Sequence, residues 1–514
     1  MTKLTYTTPS LTSPITLNGQ ALTCGEVVAS ARHYAPISLG PEALQRIRAA
    51  RSVIDKLANE GQKVYGVTTG FGHLSSVRIP SAQLMDLQLN LLRSHAAGVG
   101  EPLSEEVTRA MMTLLAASLA RGHSGVRVEL VQLLVAALNA RITPIIPSRG
   151  SVGASGDLAP LAHLGLLLVG EGEAMYEGQR YSGGEALAQA SLTPLRLQAK
   201  EGLALINGTH LMEAIAVLAL ADAQTLLETA EVACAMSLEG LMGSHIPLDP
   251  RIHQRRGQSG QQVCADHLRQ LVSDSEINRS HQNCARVQDP YTLRCAPQVL
   301  GAVRDAVEYC ATIFERELGA VTDNPLVFPD EGDVLSGGNF HGQPLALALD
   351  MLAIVLTQLA SFSERRIYNL MGPHEWDTIN GAPLFLTPNA GLHSGFMIAQ
   401  YVAAALVNEI KILAHPASID SIPTSAGMED FVSMGVTSAH KLLRVLEQAR
   451  QVVAIELMCA AQMLEFRKPL KAGLGVQHAY ERVRDYVPML VQDRVLSPDI
   501  EKLTQAVKEG AFVD

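Results

Sequence analysis

Aromatic side chains are scarce in this chain, which has one Trp, 11 Tyr and 10 Phe among 514 residues. Because 47% of the residues are nonetheless hydrophobic, the core has to be built from Ala, Leu, Val, Ile and Met, the residues that fill closely packed helices. Basic residues are also in deficit, 40 Lys and Arg against 51 Asp and Glu for a net charge of -11. A surface that neutralises phosphates needs the opposite balance, so nucleic-acid binding is set aside. The seven cysteines, at 24, 234, 264, 284, 295, 310 and 459, include no CxxC pair, which argues for reduced thiols in a cytoplasm rather than a zinc finger or disulfide framework. Met1 to Leu17 has no basic stretch followed by an apolar run, the pattern of an export signal. Long apolar runs are interrupted: Pro344 to Phe362 carries Asp350, and Tyr401 to Leu413 carries Asn408, Glu409 and Lys411. Both runs therefore predict buried helices rather than lipid spans.

What is present in abundance is helical periodicity. Apolar residues recur at three- and four-residue spacing over Glu105 to Ala120, Arg127 to Leu138, Leu158 to Leu168, Leu211 to Ala235, Pro297 to Leu318, Leu345 to Leu370 and Ser438 to Leu464, which predicts a mainly α fold with a long-helix bundle as its core. Helices of that length with Ala- and Leu-rich surfaces suggest hydrophobic faces that continue into partner subunits, so a homo-oligomer is expected. Strand signals are few: Pro14 to Leu17 before Asn18-Gly19, and Met175 to Tyr181, read as small hairpins. The turn Gly122-His123-Ser124-Gly125 marks a soft boundary between a smaller mixed N-terminal lobe, 1–122, and the bundle, 123–514.

One segment is dense in small residues: Ser148-Arg149-Gly150-Ser151-Val152-Gly153-Ala154-Ser155-Gly156-Asp157. Its plain interpretation is a turn, with Asp157 capping the apolar helix that follows and Pro160 tolerated in the first turn. A hydrolase nucleophile elbow does not fit, because the second residue after Ser155 is Asp157 rather than Gly. A third chemistry does fit. If the amide nitrogen of Gly156 attacks the carbonyl carbon of Ala154, a five-membered ring closes. Loss of two waters, one from the ring and one involving the Ser155 side chain, then leaves 4-methylidene-imidazol-5-one, an electron-poor alkene. Gly at 156 leaves the approach uncrowded, and backbone strain is the expected cost.

Gly153-Ala154-Ser155-Gly156-Asp157-Leu158-Ala159-Pro160-Leu161-Ala162-His163 resembles the signature of the aromatic amino acid ammonia-lyase family, which contains the histidine and phenylalanine enzymes. Five further segments match the family in order: Tyr65-Gly66-Val67-Thr68-Thr69-Gly70-Phe71-Gly72, Leu205-Ile206-Asn207-Gly208-Thr209, Gln288-Asp289-Pro290-Tyr291-Thr292-Leu293-Arg294-Cys295, Gly337-Gly338-Asn339-Phe340-His341-Gly342 and Glu429-Asp430-Phe431-Val432-Ser433-Met434-Gly435. The resemblance runs from about Val64 to Glu465. It implies an ammonia-lyase/fumarase-like helical architecture, a homotetramer whose pockets combine residues of three subunits, and the imidazolone formed without another enzyme from Ala154, Ser155 and Gly156. No metal, nucleotide, nucleic acid or membrane is implied.

The resemblance also assigns tasks. Tyr65 matches the base that removes the β-carbon proton, and a phenol doing so near neutrality must sit below its ordinary pKa of about 10. Arg294 resembles the arginine that grips the substrate carboxylate through paired hydrogen bonds. Asn207 matches an amide touching the imidazolone oxygen and the substrate, where it would stabilise developing negative charge. Gln288 and Tyr291 match residues bordering the substrate amine and carboxylate, and Phe340 an aromatic pocket wall. Taken one at a time, each has an ordinary alternative: core packing for Tyr65 and Phe340, a turn cap for Asn207, a surface ion pair for Arg294.

Substrate choice turns on His95 and Glu429. Ser94-His95 resembles the pair at the ring end of the pocket in the histidine enzymes, although some tyrosine lyases share it. Glu429 matches their characteristic carboxylate where aromatic-specific relatives commonly carry Gln. A negative charge suits an imidazole better than a benzene ring. The expected reaction is therefore L-histidine to urocanate and ammonia. The departure is Phe431, since histidine enzymes usually read Glu-Asp-His at this place. The alternative is a tyrosine or phenylalanine lyase, or an aminomutase, with the same electrophile. A fumarase- or aspartase-like lyase would share the helices, but its Gly-Ser-Ser-x-x-Met-Pro-x-Lys signature is absent from the chain.

Overall fold

The computed structural model describes residues 13–60, 64–70, 79–80, 83–282, 284–374 and 381–513. Helices dominate these residues, and the few strands form two- and three-stranded sheets. Two compact units result: residues 1–218, 312–349 and 416–440 form one, and 219–311, 350–415 and 441–514 the other. The Gly122–Gly125 turn lies inside the first unit.

In the first unit the helix Glu105–Ala120 starts where the Ser104 hydroxyl accepts the Val107 N–H, with Glu105 and Glu106 complementing the helix dipole. Every residue from Val107 to Ala120 is buried. The cost of including Arg109 is offset by hydrogen bonds from its guanidinium to the carbonyls of Leu138 and Ser30. Val128–Asn139 and Leu158–Leu168 pack in the same unit. The expected hairpin around Met175 is present as Glu173–Tyr176 paired with Gln179–Ser182. The other is not: Ile15–Leu17 pairs in parallel with Ile37–Leu39. After Gly19 the chain enters the helix Cys24–His33, whose Thr23/Glu26 capping box claims the chain before it can fold back on itself.

The second unit centres on a buried ion pair. Glu456 receives Arg366 Nε at 2.5 Å and Nη2 at 2.7 Å, and its two oxygens also accept the hydroxyls of Ser237 and Ser363. Four donors on one carboxylate compensate its desolvation. By length and composition, His210–Gly240 and Gln343–Leu370 could each cross a bilayer, but 78% and 61% of their apolar windows are buried within the protein. Met397–Leu413, expected to be buried, leaves Ile398, Tyr401, Val402 and Ile412 exposed on one side.

Candidate active site

The small-residue loop of the first unit leaves the short strand Pro147–Arg149, which pairs with Val99–Pro102, and ends at the helix Leu158–Leu168. Ser151 braces it internally. Its hydroxyl lies 3.2 Å from both the Gly156 carbonyl and Asp157 Oδ1, and accepts the Gly153 N–H at 3.1 Å. Met434 N–H and Ser433 Oγ hold the carbonyls of Val152 and Gly153 from outside. The turn is further pressed against Gly208: Asp157 N–H donates to the Gly208 carbonyl at 2.7 Å and Gly208 N–H to the Ser155 carbonyl at 3.4 Å. Gly156 has φ +75°, and a Cβ there would stand 2.1 Å from the Gly208 oxygen. No other residue fits that approach.

Asp157 occupies the N-cap position that the sequence suggested, its carbonyl accepting the Leu161 N–H at 3.0 Å, but its side chain makes no capping hydrogen bond to that helix. Its Oδ2 instead accepts the backbone N–H groups of Leu211 at 2.8 Å and Met212 at 3.1 Å, at the start of the long helix His210–Gly240. Full burial pushes its carboxyl up to about 7, against the lowering pull of the bonds from Met212, Leu211 and Ser151.

Glu429 reaches the loop from the segment 424–434. Its Oε1 accepts the Ser155 hydroxyl at 3.4 Å and its Oε2 that of Thr424 at 2.6 Å. Thr424 and Glu429 also exchange backbone hydrogen bonds around Ser425 and Ala426, both held at positive φ (51° and 53°). Strain of this kind persists where the surroundings dictate a geometry. His95, at the end of Leu84–His95, is half-buried. Burial lowers its pKa, opposed by the Leu91 carbonyl and by the charge of nearby Glu429. Since a carbonyl only accepts, the 2.9 Å contact of His95 Nδ1 with Leu91 O makes Nδ1 the donor and leaves Nε2 as the acceptor. Phe431 stacks on His341 with centroids 6.2 Å apart, while His341 Nε2 meets the Phe431 carbonyl at 3.1 Å. Phe340, beside His341, is half-buried.

Tyr65 sits in a turn closed by Thr68 N–H on the Val64 carbonyl and by Val64 N–H on the Thr68 hydroxyl. The next residue, Gly66, packs on Leu203 of the helix Glu201–Ile206. That helix ends at Asn207, which is buried. Phe71 and Gly72 of the Tyr65 motif lie outside the described residues. The first unit thus holds Tyr65, His95, the Ala154–Gly156 loop, Asn207, Phe340 and Glu429.

The remaining three lie in the second unit. Buried Asp289 anchors them, accepting Ser244 N–H at 2.7 Å and Arg286 Nη1 at 3.1 Å. Arg294 Nε donates to the Asp289 carbonyl at 3.0 Å, and its guanidinium lies 4.6 Å from the centre of the Tyr291 ring. Tyr291 and Gln288 are exposed. Among the described residues, no group of three or more His, Cys, Asp or Glu is arranged to hold a metal ion.

The sequence did not single out Thr424, Ser433, Lys200 or Asp323. Ser433 lies within the Glu429–Gly435 motif, a usable signal, whereas Thr424 precedes that motif by five residues and carried none. Asp323, whose carboxylate receives Lys200 Nζ at 2.6 Å and Asn207 Nδ2 at 3.5 Å, gave none.

The family model for aromatic amino acid lyases matches residues 22–485. The chain is 53% identical over 495 residues to a histidine ammonia-lyase of Symbiobacterium thermophilum, covering 96% of this chain and 97% of that one. Its structure superposes on a histidine ammonia-lyase from Trypanosoma cruzi with a TM-score of 0.90 at 44% identity, over 97% of this chain and 94% of that one. A tyrosine aminomutase from Streptomyces globisporus gives 0.91 at 36% identity, over 97% and 98%.

Proposed function

The chain belongs to the aromatic amino acid lyase family, and from that premise we propose that it is a carbon-nitrogen lyase eliminating ammonia from L-histidine to give urocanate. The observation that carries the substrate is Glu429, a carboxylate bonded to the Ser155 hydroxyl with His95 close enough to feel its charge. A polar, negatively charged ring end suits an imidazole and repels a plain phenyl ring. Histidine ammonia-lyases at about half identity over nearly the whole chain support the same choice.

We propose 4-methylidene-imidazol-5-one, formed from Ala154, Ser155 and Gly156, as the electrophile. The residues fit it: the Ser151 brace and the Gly208 contact bend the chain tightly, and no Cβ obstructs the Gly156 nitrogen. Once formed, the group supplies an electron sink toward which the substrate's electrons can be drawn. Loss of the Ser155 hydroxyl also releases Glu429 Oε1 from its partner, leaving an acceptor for the substrate ring.

Tyr65 is proposed as the base for the β-proton, its backbone held by the Thr68 turn. Arg294 binds the carboxylate through its Nη edge, because Nε is engaged by Asp289. Gln288 and Tyr291 border the amine and carboxylate, and Phe340 walls the pocket. We further propose a cytoplasmic homotetramer with shared sites, supported by the apolar face that Ile398, Tyr401 and Val402 leave exposed. Incubation of the purified protein with L-histidine, L-tyrosine and L-phenylalanine tests the substrate, with urocanate the expected product. Release of coumarate, or of a β-amino acid, would replace this reading by the tyrosine lyase or the aminomutase.

A further inference from the structure

Thr424 and Glu429 close a tight turn on each other. Thr424 N–H donates to the Glu429 carbonyl at 2.9 Å and Glu429 N–H to the Thr424 carbonyl at 3.3 Å, while Gly427 N–H meets that same carbonyl at 3.0 Å. Between them the chain doubles back through Ser425, Ala426 and Gly427, all left-handed at φ +51°, +53° and +84°. Ser425 and Ala426 carry a Cβ there, so the turn holds strain that its bonds have to offset. The fold-back brings one side chain onto the other: Thr424 Oγ1 donates to Glu429 Oε2 at 2.6 Å. That is the separation of a hydroxyl bonded to an ionised carboxylate, and the β-branch of Thr restricts the rotamers into which the hydroxyl could turn away. Among the described residues the other donor to this carboxylate is the Ser155 hydroxyl, 3.4 Å from Oε1. Cyclisation of residues 154–156 consumes that hydroxyl, after which Thr424 is the side chain left to hold Glu429.

We propose that Thr424 is a positioning residue for ring selection: by anchoring Glu429 Oε2 it fixes the carboxylate and presents Oε1 to a ring N–H of the substrate. A carboxylate tied at one oxygen and open at the other accepts that N–H without first losing side-chain freedom, which an unanchored Glu would have to give up on binding. This rests on the reading of Glu429 as the group that selects an imidazole. It adds the residue that aims it.

The test compares imidazolepropionate with phenylpropionate, which share a carboxylate tail and differ in the ring, by calorimetric titration. Thr424→Val keeps the shape and the β-branch but removes the donor. It is expected to weaken imidazolepropionate about tenfold or more, the worth of the charged hydrogen bond between ring and Glu429, and to leave phenylpropionate within about twofold. The histidine KM should rise in parallel. Thr424→Ser keeps the donor and should bind imidazolepropionate as the wild type does. A turn that merely supports the chain would weaken both ligands together. That result, an unchanged constant for imidazolepropionate in Thr424→Val, or an equal loss in Thr424→Ser overturns the proposal. Intact mass should show the same deficit in both variants as in the wild type, and a full encoded mass in Thr424→Val would place Thr424 in loop cyclisation and overturn it as well. If Thr424→Val does not fold, Thr424→Ala removes the same donor and is held to the same contrast. A wild type that binds imidazolepropionate no better than phenylpropionate would instead remove the parent reading of Glu429, so the two failures are distinguishable.

Discussion

The Gly208 carbonyl oxygen lies where a Cβ on Gly156 would be, 2.1 Å from that ideal position. Contact continues behind Gly208, where φ is +141° and a Cβ would meet His210 Cε1 at 2.5 Å and Thr322 Oγ1 at 2.8 Å. The loop is therefore held bent by a stack of backbone and side chains with no slack. Intact-mass measurement of the wild type should show two waters missing, and Ser155→Ala should show the full encoded mass and no activity. Gly208→Ala adds backbone strain of about 1–3 kcal/mol and displaces the wall, so most of that variant should also carry the full mass. A wild-type mass equal to the encoded chain would remove the cyclisation.

Tyr65→Phe should leave the fold intact, because hydrogen bonds between Val64 and Thr68 close the turn. A well-placed base is worth ~10²- to 10⁴-fold, so kcat should fall by that much with circular dichroism unchanged. Unaltered turnover would require another base.

The helices were legible because burial imposes periodicity: Glu105–Ala120 and Leu158–Leu168 have the bounds that their apolar spacing predicts. Polar helices such as Pro41–Glu60 were not, since only a narrow stripe is buried and the rest of their surface carries no pattern. The pairing of Ile15–Leu17 with Ile37–Leu39 was hidden because a parallel partner lies beyond an intervening helix, whereas Asn-Gly advertises only a local turn. Asp157 shows the same limit within the site. Its place before an apolar helix pointed to a side-chain cap, but the donors that satisfy its carboxylate, Leu211 and Met212, are more than fifty residues away in sequence.

Arg294→Lys should mainly weaken binding. Arg294 stacks on Tyr291 and uses Nε on Asp289, which fixes the plane of its guanidinium. An ammonium offers neither the plane nor the paired donors. KM should rise on the order of tenfold with a smaller change in kcat, as expected for a lost charged hydrogen bond. Retained affinity would make Arg294 structural.

Asp157 predicts a pH dependence of stability. Burial raises its carboxyl from 3.8 to about 7 in the folded protein, so the folded chain keeps this proton after the unfolded chain has released it. The stability from this group is complete below about 4, is lost as pH rises through about 7, and is constant above that. At ~1.4 kcal/mol per unit the total is of the order of a few kcal/mol. Asp157→Asn keeps an oxygen for Leu211 and Met212 but cannot titrate. The Tm difference, wild type minus variant, should therefore fall between about pH 4 and 7. A difference independent of pH would mean that Asp157 is ionised throughout.

Selectivity follows from the kind of groups at the ring end rather than from their polarity alone. His95 Nδ1 is committed to the Leu91 carbonyl, and burial keeps the ring neutral, so Nε2 can only accept. Glu429 is likewise an acceptor, held by Thr424. Two acceptors require donors from the substrate: an imidazolium offers two, a phenol one, a phenyl ring none. Both groups are half-buried in the free chain, and each acceptor that a bound substrate covers without meeting costs about 1–3 kcal/mol, so phenylalanine should be turned over less efficiently than histidine by about a hundredfold or more, with tyrosine between them. His95→Phe with Glu429→Gln removes one acceptor and gives the other position an amide that can also donate. Its kcat/KM should fall for histidine and rise for phenylalanine, measured side by side on dehydrated protein of confirmed mass. If both constants fall together, His95 and Glu429 support the loop rather than select the ring. If the unmodified enzyme prefers tyrosine, selection lies instead with Phe431, whose ring is already stacked on His341.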